Sequence, residues 1–91
     1  MHRAFPNYPN PFNPVTRIDF ELPATEKVEI SVFGLDGRRI VKLMDGALPA
    51  GRHSVIWTGR NEQGEIVASG TYFYRLKAGS FTKTCKMTLL K

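Results

Sequence analysis

Apolar and polar residues alternate with period two through one short run of this chain after another. No stretch carries helical spacing for long enough to build a helix of useful length. Ile18, Phe20 and Leu22 alternate with Arg17, Asp19 and Glu21, and Val28, Ile30 and Val32 with Lys27, Glu29 and Ser31. Each run predicts a half-buried strand, because successive side chains point to opposite faces of a sheet. Gly34 to Arg38 contains Asp36-Gly37, a pair that accepts positive φ in tight hairpins. Ile40 to Leu43 predicts a third short strand, and Asp45 to Gly51, with two glycines and Pro49, predicts a loop. His53, Val55 and Trp57 mark a fourth strand; Gly59 to Gly64 is polar and turn-like; Ile66 to Ala68 is short and extended. Thr71 to Lys77, with Tyr72, Tyr74 and Leu76 on one face, turns at Ala78-Gly79-Ser80 into a last strand from Phe81 to Leu90. Six or seven strands at a spacing of about 8–12 residues predict an antiparallel β-sandwich with Trp57 at the centre of its core. Lys83 shares the apolar face of Phe81, Cys85, Met87 and Leu89, so it either reaches past the sheet end or marks a bulge.

Ahead of the strands, residues 5–14 hold four prolines in ten positions. Proline fixes φ and removes a donor, so this stretch is neither helix nor interior strand. It reads as a semi-rigid leader, residues 1–14, before a domain spanning 15–91. Three aromatics lie in it, and Phe12 is expected to dock as a lid over an open end of the core.

Ninety-one residues make one small domain. Its net charge of +5 is unevenly placed. Residues 1–65 hold eight Lys/Arg against all eight Asp/Glu, whereas Arg75, Lys77, Lys83, Lys86 and Lys91 stand alone after them. A solvated strand face that resists edge-to-edge aggregation accounts for this; so does a basic docking surface. No dense basic run or nucleic-acid motif accompanies the charge, so nucleic acid is not read as a partner. Cys85 is the only cysteine, which leaves no internal disulfide and no Cys-rich metal site; as a small hydrophobe it is expected to be buried. There is no run of about 18 apolar residues to span a membrane as a helix. Met1-His2-Arg3 leads into the Pro/Asn tract rather than an apolar h-region, so no signal peptide is read. Met1, with His2, reads as an appended start, and the remainder as the tail of a longer protein.

Catalysis is hard to assemble from these residues. His53 and Ser54 are neighbours on a strand and face opposite ways, so they cannot pair as base and nucleophile. Cys85 has no evident His partner. Asn61-Glu62-Gln63-Gly64-Glu65 offers oxygen ligands and a glycine but lacks the Asp spacing and closing bidentate Glu of a calcium loop. No phosphate-cradling loop and no zinc spacing is present. The chain is therefore read as a non-enzyme without cofactor or metal.

Several segments taken in order resemble a known family: Tyr8-Pro9-Asn10-Pro11-Phe12-Asn13-Pro14, Val32-Phe33 with Asp36-Gly37-Arg38, and Gly51 through Val55 to Trp57. Gly64 with Val67 to Tyr74, and the terminal Lys86-Met87-Thr88-Leu89-Leu90-Lys91, complete the pattern. They resemble the C-terminal sorting domain of the type IX (Por) secretion system of Bacteroidetes, itself similar to the immunoglobulin-like domain of the flagellar hook-capping protein. The resemblance implies an immunoglobulin-like antiparallel sandwich of about seven short strands. It implies a non-catalytic address label that directs an N-terminal cargo domain through the periplasm to an outer-membrane translocon, with a shuttle and a sortase as further partners. The cargo then reaches the cell surface or the medium. The positions it singles out are Pro9, Asn10 and Pro11, then Gly37 and Arg38, then Gly70 with Tyr72 and Tyr74, then Lys86, Met87, Leu89, Leu90 and Lys91. Cys85 stands where other members often carry a polar or basic residue. For each, a structural role competes: a positive-φ turn for Gly37, core packing for Tyr72 and Tyr74, a lid for the leader. The terminal strand is where recognition is expected, by addition to another sheet with flanking cations steering the encounter. A terminal edge strand also admits an edge-paired or strand-swapped homodimer. Two rival readings remain: a hook-capping-like structural module, and a carbohydrate-binding accessory sandwich presenting Phe73, Tyr8 and Phe33.

Overall fold

The computed structural model describes all 91 residues. Seven strands form: β1 (Arg3–Ala4), β2 (Thr16–Leu22), β3 (Glu26–Gly34), β4 (Arg39–Leu48), β5 (Gly51–Trp57), β6 (Gly70–Ala78) and β7 (Phe81–Leu89). They build two antiparallel sheets, ordered β1-β2-β5 and β4-β3-β6-β7, which makes the predicted immunoglobulin-like sandwich. The alternation read from the sequence is the reason. Ile18, Phe20 and Leu22 of β2 face Val28, Ile30 and Val32 of β3 across the interior, with Tyr74, Leu76, Met87 and Leu89 beside them. Burying each such side chain contributes about 1.5–3 kcal/mol.

Trp57 is buried as expected, and its indole N–H donates to the Arg60 carbonyl at 2.9 Å. Its ring meets Tyr72 edge-on and Phe12 at a tilt, with centroids 5.4 and 5.5 Å away. Tyr74 is fully buried; its hydroxyl donates to the Phe5 carbonyl at 2.6 Å, and burial pushes its pKa up, with Cys85 beside it adding to the rise. Cys85 itself is half-buried rather than buried.

Two local expectations change, and two others, the Asp36-Gly37 turn and the alternatives at Lys83, become specific. The region from Asp45 to Leu48 is strand, not loop: β4 runs ten residues and pairs with β3 as far as Leu48↔Glu26. Gly46 and Asp45 do not break it, because their backbone groups are held in the ladder opposite Val28 and Glu29. The turn at Asp36-Gly37 has one residue more than a two-residue hairpin. Gly37 N–H donates to the Gly34 carbonyl and Gly34 N–H to the Arg38 carbonyl, so only Gly37 takes positive φ, at 85°. Lys83 needs no bulge, since β6 and β7 pair without a register shift from Gly70↔Leu89 to Ala78↔Phe81. It is exposed near the hairpin end of the face it shares with Met87. The bulges fall in β4 instead, where Leu43 and Ile40 are the extra residues opposite β3. Finally, His2 and Arg3 belong to the fold. Arg3–Ala4 pairs with β2, and His2 stacks on Phe81 with its Nε2 2.6 Å from Glu26 Oε1.

Candidate functional site

The leader carries several of the predicted positions, and its path explains where they end up. It first runs along β2: Arg3 and Ala4 pair with Glu21 and Phe20, Phe5 N–H donates to the Asp19 carbonyl, and Tyr8 exchanges both backbone bonds with Arg17. At Pro9 it leaves that sheet. The Pro9 carbonyl accepts from Thr16 Oγ1 at 2.9 Å and from Asn7 Nδ2 at 3.3 Å, which anchors the crossing. The peptide bonds before Pro9, Pro11 and Pro14 are cis. Beyond the crossing the leader lies against the outer edge of β7. Asn10 Oδ1 accepts the Thr88 N–H at 3.0 Å while its Nδ2 donates to the Lys86 carbonyl at 3.4 Å. One carboxamide thus stands in for a peptide group of a neighbouring strand. Phe12 completes the seam: its N–H donates to the Thr88 carbonyl, its carbonyl accepts the Leu90 N–H, and its ring is buried in the core.

The other predicted positions gather at the same end of the four-stranded sheet. Gly34, Tyr72 and Met87 form one row across β3, β6 and β7, and Gly70 lies opposite Leu89, which itself meets Phe12. Gly37 and Arg38 sit in the turn that follows Gly34, with Arg38 N–H held by Asp36 Oδ1 at 3.1 Å. Between this turn and Ser69-Gly70 opens a groove of about 420 Å³, whose apolar lining is Leu35, Ile40 and Tyr72. Met87 and Leu89 point into the core and are fully buried, as is Tyr74, with Tyr72 nearly so. What the site shows to solvent is therefore Pro9, Asn10, Pro11, Gly37, Arg38, Gly70, Lys86, Leu90 and Lys91.

The charge asymmetry is expressed in part as pairing, although Arg38, Arg39 and Arg60 also make no ion pair. Every ion pair of the molecule uses a cation from the first 52 residues: His2, Arg3, Arg17, Lys27, Lys42 or Arg52. Arg75, Lys77, Lys83, Lys86 and Lys91 have no ion-pair partner. Arg75 instead covers the Phe33 ring, 4.6 Å from its centroid. Phe33, Phe73 and Lys86 form a row on the outer face of this sheet, whereas exposed Tyr8 pairs with the other sheet. The three aromatics do not make one planar strip.

On the outer face of the three-stranded sheet the charges are satisfied internally. Asp19 accepts from Ser54 Oγ at 2.6 Å and lies 3.0 Å from Arg17 and 3.5 Å from Arg52. The Ser54 hydrogen bond, with Arg17 and then Arg52 adding to it, holds the Asp19 carboxyl below the usual carboxylate range. The Phe5 ring lies between the guanidinium groups of Arg3 and Arg52, at 5.0 and 4.9 Å. Ser54 is thus committed to Asp19, and His53 Nε2 lies 2.7 Å from the Pro49 carbonyl. In the 61–65 loop, Asn61 Oδ1 accepts from Gln63 and Glu65 N–H, and Glu62 Oε1 from Lys42 N–H, so those oxygens serve the fold. Sequence reasoning did not reach the Asn10 seam or the arginine pair around Phe5. The three aromatics were the signal that the leader does more than connect, and Phe12 is buried in the core as expected.

The FlgD Ig-like domain model matches residues 10–81. The fold is similar to dimeric latent PorU from Porphyromonas gingivalis, with TM-score 0.78 and 16% identity over 99% of this chain and 9% of that one. It is similar to PorZ, an essential surface component of the type-IX secretion system of the same bacterium, with TM-score 0.66 and 21% identity over 99% and 11%. FLGD from P. aeruginosa follows at 0.63 and 24%, over 81% of this chain and 58% of that one. At these identities the likeness establishes the fold. The chain spans only about a tenth of the PorU and PorZ chains. No curated protein matches it in sequence.

Proposed function

We propose that this chain, which belongs to the FlgD Ig-like domain family, is a non-catalytic targeting module that sends a larger protein across the outer membrane by the type IX route. In this reading an N-terminal cargo travels with it to the surface or the medium. The translocon, its shuttle and a sortase are the partners. The observation that carries the reading is the β6–β7 hairpin, whose cations have no ion-pair partner and no carboxylate side chain after Glu65. Unpaired surface cations add little to stability. They raise the encounter rate with an acidic surface. The likeness to PorU and PorZ supports the reading as a fold shared over 99% of this chain with components of a secretion system.

Fusion of the full chain to a periplasmic reporter, in a type IX-competent host, tests the proposal. The reporter is expected outside the cell. The triple variant Lys83→Glu, Lys86→Glu, Lys91→Glu is expected to lower export at least about tenfold, the effect of roughly 1.4 kcal/mol in recognition. A reporter retained in the periplasm with the native chain ends the sorting reading. A hook-capping-like structural role is the second reading, favoured by the family match and by FLGD itself. It predicts that the purified chain promotes or blocks filament assembly and leaves a fused reporter where it was.

A further inference from the structure

Strand β7 is the outer strand of its sheet, and only part of its free edge is covered. Thr88 directs both backbone groups away from β6, to Asn10 and Phe12. Backbone groups alternate sides along a strand, so those of Thr82, Thr84 and Lys86 point the same way. Of these, only the Lys86 carbonyl is used, by Asn10. The N–H and C=O of Thr82 and Thr84 and the N–H of Lys86 face solvent without a partner. The open edge runs about 17 Å, at roughly 3.4 Å per residue. Thr82, Lys83, Thr84 and Lys86 are all exposed along it.

We propose that this edge, Thr82 to Lys86, receives an extended acidic segment of another protein as an added strand. Three observations carry the assignment. The same edge already accepts extended main chain, because Phe12 pairs with it in parallel at Leu89; an incoming strand would continue that ladder. The other sheet edges are shorter, blunted or charge-neutralised. β1 has two residues. β4 carries two bulges and is closed at Ile40 and Lys42 by Glu62. β5 is flanked by Arg52, which is paired with Asp19 and Glu21. Charge then selects the occupant. A second copy of β7, laid antiparallel about Thr84, would bring four lysines to one seam, Lys83 and Lys86 from each strand, with no carboxylate to offset them. An acidic strand pairs those charges, while the lysines keep copies of the chain apart. The inference rests on the reading of the hairpin as a docking surface. Its test needs no export machinery, so the two readings fail separately.

The probe is a short blocked peptide of threonine and glutamate with a glutamate on each face of the added strand, to meet Lys83 on one and Lys86 on the other, added to the full chain and followed by amide NMR. Expected are shifts and slowed exchange centred on Thr82, Thr84 and Lys86, an affinity that falls with salt, and no binding by the threonine–lysine counterpart. Thr84→Pro removes one outward N–H, a change that an edge strand tolerates on its solvent side. It is expected to weaken binding about tenfold or more, in line with the loss of a ladder bond. The variant Lys83→Glu, Lys86→Glu leaves the backbone intact and is expected to reverse the preference between the two peptides, whether or not the proline variant folds. Shifts elsewhere on the molecule, undiminished binding by a folded Thr84→Pro chain, or sedimentation as a β7-paired dimer would each overturn the proposal.

Discussion

Asn10 shows how much a single side chain can hold at this surface. Its carboxamide makes two hydrogen bonds to the β7 edge from 76 and 78 residues away in the chain. Replacing it with alanine leaves the Thr88 N–H and one Lys86 carbonyl to water; a loss of about 1–2 kcal/mol is expected in urea unfolding. Asn10→Asp keeps the acceptor for Thr88 and loses the donor to Lys86, so its loss should be smaller. On the opposite sheet, Asp19 ties stability to pH. Its carboxyl is held below its ordinary value in the folded state, chiefly by the Ser54 hydroxyl. A depressed folded pKa contributes stability that is present above the unfolded value and lost as pH falls through the folded one. Ser54→Ala removes the largest cause. The Asp19 carboxyl carbon is then expected to titrate at higher pH by NMR, and this part of the acid stability should disappear.

Elements were legible where period two is clean, as in β2, β3 and the Tyr72–Tyr74–Leu76 face of β6. Legibility failed where a strand is held by its neighbour instead of by its own pattern. Asp45 and Gly46 read as breakers, yet β3 supplies a ladder partner for each. The Arg3–Ala4 strand has no pattern to detect and exists because β2 offers an edge. The candidate site was half legible. Motif positions 9–11, 37–38, 70 and 86–91 do gather at one end of the sheet, but local sequence could not separate outward Lys86 from inward Met87 and Leu89 without the register of β7. That register decides an experiment. Deleting residues 86–91 removes two core side chains and the partners of Phe12, worth together about 3–5 kcal/mol or more by comparison with single large-to-alanine core changes. The truncated chain is expected to lose its near-ultraviolet circular dichroism and amide dispersion. Point substitution at Lys86, Leu90 and Lys91 is the way to separate recognition from folding.

At the scale of the molecule, the leader bonds to one sheet through Tyr8 and to the other through Phe12. The two sheets are therefore joined at one side by main chain and not by packing alone. The amides of Tyr8, Phe12, Arg17 and Leu90 are expected to exchange with the same opening free energy as the core strands, against the common behaviour of chain ends. Early, local exchange at Phe12 in native-state hydrogen exchange would show the leader to be an independent, fraying unit. The parallel pairing of Phe12 with Leu89 has a mechanical side as well. Tension that draws the chain ahead of Phe12 one way and the chain after Leu89 the other acts along both strands. It loads the Phe12–Thr88, Phe12–Leu90 and Asn10–Thr88 bonds side by side. Bonds loaded in shear give way together, whereas a hairpin peeled from its open end yields one bond at a time. The seam between leader and β7 is thus a clamp against tension between the leader and the chain's last residues, and a pull on the chain ahead of Arg3 reaches it only after the Arg3–Ala4 and Tyr8–Arg17 bonds to β2 have given way.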